Sequence, residues 1–210
     1  MSHELVFYTN PMSRGRVVRW MLEETGQIYR TELLGYGGTM KSPDFLAINP
    51  MGKVPAITHG STVVTECAAI CAYLADAFPQ ANLAPPHGEA ARGPYYRWMF
   101  FAAGPMEAAV TNKSLAVEVP PGKEMMVGYG SFERVMDALE GAVSHSDYIA
   151  GSQFSAADVY VGSQIGFGMR FNSIEKRPAF EAYWNRIANR PAAIRAAEID
   201  DKLIAEQAPH

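Results

Sequence analysis

The chain has 210 residues, 48% of them hydrophobic and 19% charged, enough to bury one large core or two small ones. Its formal net charge of -4, with no dense Lys/Arg cluster, argues against a surface built for a phosphate backbone, so no nucleic-acid partner is expected. No apolar run reaches the length of a membrane span and no basic-then-apolar leader opens the chain, which predicts a cytoplasmic protein without membrane contact.

In chain order, Leu5-Val6-Phe7-Tyr8 reads as a first strand, broken by Thr9-Asn10-Pro11. A helix is predicted over about 14–25, with Val17, Val18, Met21 and Leu22 as its apolar stripe and Gly26 as its stop. Residues 28–34 alternate like a second strand. Gly35-Tyr36-Gly37-Gly38 is a flexible segment, and 42–46 a short helical turn that ends near Asn49-Pro50. The β-prone runs 56–58 and 62–65 are separated by His59-Gly60-Ser61, a hairpin signature. At Glu66-Cys67 the pattern turns helical, with Ala69, Ile70, Tyr73, Leu74 and Ala77 at helical spacing until Pro79. The order βαβαββα describes an α/β domain over 1–79.

Residues 80–88 are polar and proline-rich, the composition of a linker, and everything in 89–210 is helical in pattern. A long helix is predicted over 89–115 with a bend at Gly104-Pro105, another over 124–144, and a last pair on either side of Arg190-Pro191. Phe154-Ser155-x-x-Asp158 is the clearest helix start: Ser155 fits the cap and Asp158 the reciprocal position. Gly162, Gly166 and Gly168 each cost that helix roughly 1 kcal/mol against Ala, so close packing in a core is the expected reason.

The stretch 52–67 concentrates the chemistry. Val54-Pro55 leads a strand where a proline cannot donate to the ladder; a cis bond there would present the Val54 N–H and C=O to an extended ligand. Glu66 and Cys67 set a carboxylate and a thiol at a helix start, beside unpaired N–H groups and the positive end of the helix dipole. Together these predict a peptide-binding sheet edge with a carboxylate for an amino group. Each residue also has a plain structural use, Glu66 as a dipole-stabilising cap and Pro55 as an edge marker. The two cysteines, Cys67 and Cys71, lie on one predicted helix, which excludes a disulfide framework, and the five His are too scattered for a metal site. Cys71 reads as a small buried thiol.

Asn49-Pro50-x-Gly52-Lys53-Val54-Pro55, Glu66-Cys67-x-x-Ile70-x-x-Tyr73-Leu74 and Phe154-Ser155-x-x-Asp158 follow one another along most of the chain. In order and spacing they resemble the cytosolic glutathione transferase family, in its serine-type, bacterial-like form. The resemblance implies a thioredoxin-like N-terminal domain that holds glutathione, an all-α helical bundle that shapes a pocket for an apolar electrophile, and a homodimer. It implies glutathione as co-substrate, no metal, and a detoxifying thiol transfer. Carried over by position, Val54 and Pro55 pair with the cysteinyl part of glutathione, Glu66 and Cys67 hold the γ-glutamyl end, and Lys53 and Lys41 face the glycyl carboxylate. The family usually has Ser where Cys67 stands; a thiol is a poorer donor, which shifts weight to Glu66 and the Cys67 backbone N–H. A mixed-disulfide role for Cys67 is a further reading.

Such chemistry needs thiolate, and a thiol of pKa near 8.5 is only a few per cent ionised at neutral pH. One hydrogen bond to the charged sulfur, about 1.5–3 kcal/mol, would lower that pKa by roughly one to two units. Three donors follow the first strand: Ser13, Asn10 and Tyr8. Ser13 leads, because Asn10-Pro11-Met12-Ser13 resembles the family's Pro-x-Ser; its bland use is a helix cap. Arg14-Gly15-Arg16 echoes the tyrosine-type classes but puts Asn10 at the tyrosine position, and Tyr8 reads as a packed strand residue. Arg16 reads as a structural ion-pair partner. Met12, Phe101 and Met106 are candidates for the electrophile pocket, although Met and aromatic residues at helical spacing are commonly core. Two other readings stay open: peroxide reduction, disulfide exchange or isomerisation on the same site, and a non-catalytic binding module of the same fold. The isomerase-like class usually shows Ser-x-Cys in the first loop, which Ser13-Arg14-Gly15 lacks.

Overall fold

Strand β1 (Leu5–Thr9) is an inner strand of a four-stranded sheet ordered β2-β1-β3-β4. Its near-continuous apolar run suits burial on both faces, and Leu5, Val6 and Phe7 are buried. β2 (Arg30–Leu33) pairs with β1 in parallel, so the chain must cross over between them, and α1 (Gly15–Thr25) makes that crossing. The apolar stripe Val17, Val18, Met21 and Leu22 is fully buried, and Gly26 closes the helix in the left-handed region at φ 65°. Pairing with β2 begins at Val6↔Arg30, two residues later than the alternation predicts, and Ile28 lies in solvent. After α2 (Pro43–Ile48), strand β3 (Ala56–His59) pairs antiparallel with β1. β4 (Thr62–Thr65) follows through the two-residue turn Gly60-Ser61 and pairs antiparallel with β3. Helix α3 (Cys67–Ala77) completes the expected βαβαββα order, a thioredoxin-like arrangement. The computed structural model describes residues 4–207.

By packing, the chain forms two units: residues up to Leu83 together with those from Asn189 onward, and Ala84–Ala188. The last helix, α9 (Pro191–Gln207), therefore belongs with the sheet unit, although it follows the helical unit in sequence. It lies against α1, and oppositely charged side chains join the two. Arg16 meets Asp201 at 2.8 Å, Arg19 meets Asp200 at 2.7 Å, and Arg195 meets Glu23 at 3.3 Å. Arg190, just before α9, binds both oxygens of Glu24 at 2.7 and 2.8 Å.

The named elements of the second unit are all helical, with one isolated bridge between Tyr148 and Gly151. The bend expected at Gly104-Pro105 is a π-helical turn, Ala102–Met106, between α4 (Arg92–Phe101) and α5 (Glu107–Ser114). A proline inside a helix removes one ladder bond, and the wider turn absorbs that loss. The proline-rich approach to α4 is pinned: the Arg92 guanidinium donates to the Pro85 carbonyl at 2.5 Å and to the Tyr96 hydroxyl at 2.9 Å. α6 (Phe132–His145) starts later than predicted, since Glu124–Met126 form a separate short 3-10 turn. α7 (Ala156–Arg170) begins with the expected capping box of Ser155 and Asp158. Its glycines are spaced for contact. A Cβ at Gly166 would stand 2.7 Å from the Trp184 ring, and one at Gly162 would collide with Ile187, both on α8 (Pro178–Ala188). At Gly168 it would meet Ile174.

Candidate functional site

Strand register decides which loops meet. Tyr8 faces Ala56 across β1–β3, and Ala56 faces Thr65 across β3–β4. Asn10, Val54 and Glu66-Cys67 lie just beyond the ends of these paired strands. Three segments thus emerge at one end of the sheet. Cys67 ties two of them together, its Sγ lying 3.7 Å from the Arg14 carbonyl. Because β3 is an inner strand, Val54-Pro55 is not a sheet edge, as the sequence suggested, but the open end of a central strand. The Val54–Pro55 peptide bond is cis. Val54 packs half-buried against Met40, Phe45 and Ala56. Among the described residues its N–H and C=O take no part in backbone hydrogen bonds.

The loop after β1 is held by its own polar groups. Asn10 is buried; its Nδ2 donates to the Leu34 carbonyl at 2.8 Å and its Oδ1 accepts from the Met12 N–H at 3.0 Å. Both ends of the amide are therefore occupied in shaping the loop. The Ser13 hydroxyl donates to the Asn10 carbonyl at 2.6 Å and accepts the Gly15 N–H at 2.9 Å. It braces the turn that leads into α1, whose cap position is held by Arg14 without a side-chain bond, so Ser13 is not the helix cap the sequence suggested; it stays half-exposed. Gly15 is required by space, since a Cβ there would collide with Thr9 Oγ1. Tyr8 lies in the strand, its ring 5.7 Å from that of Phe45 in the small Met40–Phe45–Ala56 cluster. Arg16 donates to Asp201 and, at 3.5 Å, to the Pro11 carbonyl, the structural role expected of it.

The loop before β3 is braced from inside. Asn49, buried, donates through Nδ2 to the Lys53 carbonyl at 2.7 Å and accepts the Met51 N–H at 3.1 Å. The Lys41 ammonium donates to the Gly52 carbonyl at 2.7 Å and to that of Met51 at 3.4 Å. Lys41 is thus engaged by the loop, while Lys53 is exposed beside Val54. On the far side, Glu66 is exposed and holds φ 67°, ψ 122°, a region costing a residue with a Cβ of order 1–3 kcal/mol. Its carboxylate makes no cap bond to α3. Its charge still stands at the positive end of the helix dipole, but the carboxylate is not spent on a cap bond. Cys67 is half-buried at the first position of α3; Cys71, one turn on, is wholly buried, and burial pushes its thiol well above the ordinary range.

Met12 is 73% exposed in the first loop. Phe101 and Met106 belong to the second unit, where Phe101 is half-buried and Met106 is wholly buried in the π-helical turn, a core residue. One residue went unselected in the sequence: Tyr36, whose hydroxyl donates to the Met12 carbonyl at 3.3 Å. Its glycine-rich setting marked a loop, and nothing in the pattern marked the loop's target. Among the described residues no cluster of His, Cys, Asp or Glu is placed to hold a metal ion, and no helix is long and apolar enough to cross a membrane.

Two family models cover much of the chain: the glutathione S-transferase N-terminal domain over residues 12–77 and the glutathione S-transferase C-terminal domain over 120–191. Glutathione S-transferase A of Pleuronectes platessa is 28% identical over 191 residues, covering 84% of this chain and 83% of its own length. A glutathione S-transferase of Escherichia coli O157:H7 is 28% identical over 166 residues, 78% of each chain. Among solved structures, a sphingomonad glutathione S-transferase complexed with glutathione superposes with a TM-score of 0.76 at 28% identity, covering 93% of this chain and 98% of that one. A glutathione transferase from Methylococcus capsulatus superposes with a TM-score of 0.77 at 27% identity, covering 94% and 99%.

Proposed function

Since the chain belongs to the glutathione S-transferase family, we propose that it binds glutathione across the open end of its sheet and adds the thiolate to apolar electrophiles. The convergence of Ser13, Val54 and Glu66-Cys67 at that end carries the reading. Val54 offers one free peptide N–H and C=O, the pair an extended cysteinyl residue needs. The unengaged Glu66 carboxylate suits the γ-glutamyl ammonium, and the first N–H groups of α3 its carboxylate. Lys53 is the exposed cation for the glycyl end; Lys41 supports it by fixing the carbonyls of the turn before it.

Ser13 is the donor we assign to the sulfur. Its single hydroxyl proton is held by Asn10, so activation means turning that proton outward while the oxygen keeps the Gly15 N–H. The exchange gives up a neutral bond of about 0.5–1.5 kcal/mol for a charged one of about 1.5–3. The difference corresponds to roughly one pKa unit, nearer the lower end of the range expected from sequence. Asn10, with both ends of its amide committed, and Tyr8, packed on Phe45, are less free to donate.

Ultraviolet titration of bound glutathione thiolate tests this assignment. Ser13→Ala should raise the pH of ionisation by about one unit and lower kcat/KM for a chloronitroaromatic roughly tenfold at neutral pH. An unchanged ionisation would remove Ser13 from the role.

A further inference from the structure

We propose that Tyr36 is a positioning residue that readies Ser13 to release its proton toward the sulfur, an inference that rests on the functional reading above. The Asn10 carbonyl accepts two hydrogens from the same residue, the Ser13 N–H at 3.0 Å and the Ser13 O–H at 2.6 Å. For the hydroxyl to turn outward, this carbonyl must be left well satisfied by the N–H, since its one other donor, the Thr9 hydroxyl, stands at 3.5 Å. The Ser13 N–H belongs to the peptide whose carbonyl is that of Met12, and the Tyr36 hydroxyl donates to that carbonyl. A donor on the C=O end of a peptide polarises it and makes its N–H a stronger donor. Tyr36 therefore strengthens the bond that remains, and so lowers the cost of losing the one that must go.

The surroundings support a held contact. The peptide just before it, Pro11–Met12, is gripped by Asn10 Oδ1, which accepts the Met12 N–H. The segment carrying Tyr36 is itself anchored: the Gly35 N–H donates to Thr39 Oγ1 at 2.9 Å, and the Gly35 carbonyl accepts the Met40 N–H at 3.2 Å. The ring is 56% exposed, so core packing does not explain where it stands. The same segment reaches the second site loop through Lys41. Between them, Tyr36 and Lys41 link the loop of Ser13 to the loop of Val54.

Tyr36→Phe keeps the ring and removes the donor. In the whole protein with glutathione bound, the thiol should ionise about half a pH unit higher, the size expected for losing part of one neutral hydrogen bond. Turnover of a chloronitroaromatic at pH 6.5 should fall about threefold, with its KM unchanged. In the ligand-free protein, amide exchange at Ser13 should quicken about threefold while the melting temperature stays put. An unchanged thiol ionisation in Tyr36→Phe, alongside a shifted one in Ser13→Ala, would overturn the role of Tyr36 and leave the proposed function standing. Unchanged Ser13 exchange would overturn it without any ligand. A wild-type protein that binds no glutathione would bring down the functional reading and this role with it.

Discussion

Each unit buries an aspartate, and the two are treated differently. Asp158, in the helical unit, accepts the Ile149 N–H and the Tyr183 hydroxyl on one oxygen, both at 2.8 Å. Its other oxygen takes the Ser155 N–H at 2.9 Å and the Ser155 hydroxyl at 3.1 Å. Burial pushes its carboxyl above the usual range and these donors pull it back, with burial ahead. Asp200, in the sheet unit, instead faces a buried cation, Arg19. Among the described residues its second oxygen and Arg19 Nη2 have no hydrogen-bond partner. Arg19 is otherwise supported by the Tyr29 hydroxyl at 3.2 Å and by the face of Phe7, its guanidinium 5.1 Å from the ring centre. Burial again outweighs the partner and raises Asp200. A carboxylate met by neutral donors finishes a local turn and fixes a helix start. A carboxylate met by one incompletely satisfied cation specifies which helix lies against which, with little net stability in return.

Removing the acceptor in the first network should do the most damage. Asp158→Ala strands two buried N–H groups and the Tyr183 hydroxyl, and should cost about 4–5 kcal/mol in denaturant unfolding. A loss below 1 kcal/mol would mean that water replaces the carboxylate. Asp200→Leu should cost about 3–4 kcal/mol by leaving Arg19 charged and alone, yet the double variant Arg19→Met/Asp200→Leu should return to within about 1 kcal/mol of the parent. If the double variant is as unstable as the single, the pair is a true stabiliser and the contrast fails. The smallest effect concerns Tyr29, which bridges Glu23 and Arg19. Burial, then its bond to Glu23, push its phenol up to about 12 from 10.0. With the folded value above the unfolded one, its contribution is complete below pH 10 and lost as pH rises through 12. Tyr29→Phe should flatten the alkaline decline of stability relative to the parent between those values; parallel curves would refute the assignment.

What could be read from the sequence follows the distance over which each contact acts. The Ser155/Asp158 box, the Gly60-Ser61 turn and the stripe of α1 depend on neighbours within a few residues, and the structure has them as expected. Asp200 and Arg19 lie 181 positions apart, and no local pattern announces that α9 returns to α1. For the candidate site, the sequence order names residues but not their geometry. Val54, Glu66 and Cys67 could be named from their order along the chain, but whether β3 was an edge strand depended on strand order. Lys41 reads as an exposed cation and proves to be a brace, because the carbonyls of Met51 and Gly52 lie within its reach. Ser13 reads from sequence as cap or catalyst, and the structure gives the cap position to Arg14 and the Ser13 hydroxyl to the turn before it.

The return of α9 bears on the order in which the molecule can be made. The first strands leave the ribosome before α9, which covers Arg19 and is synthesised after every element of the helical unit. Until Asp200 emerges, the nascent chain carries an arginine aimed at a place not yet built, so the half of the protein begun first is finished second. Trimming the C-terminus back past residue 190 would be felt at the opposite extremity, as loosening of the opening helix and of the loop that precedes it.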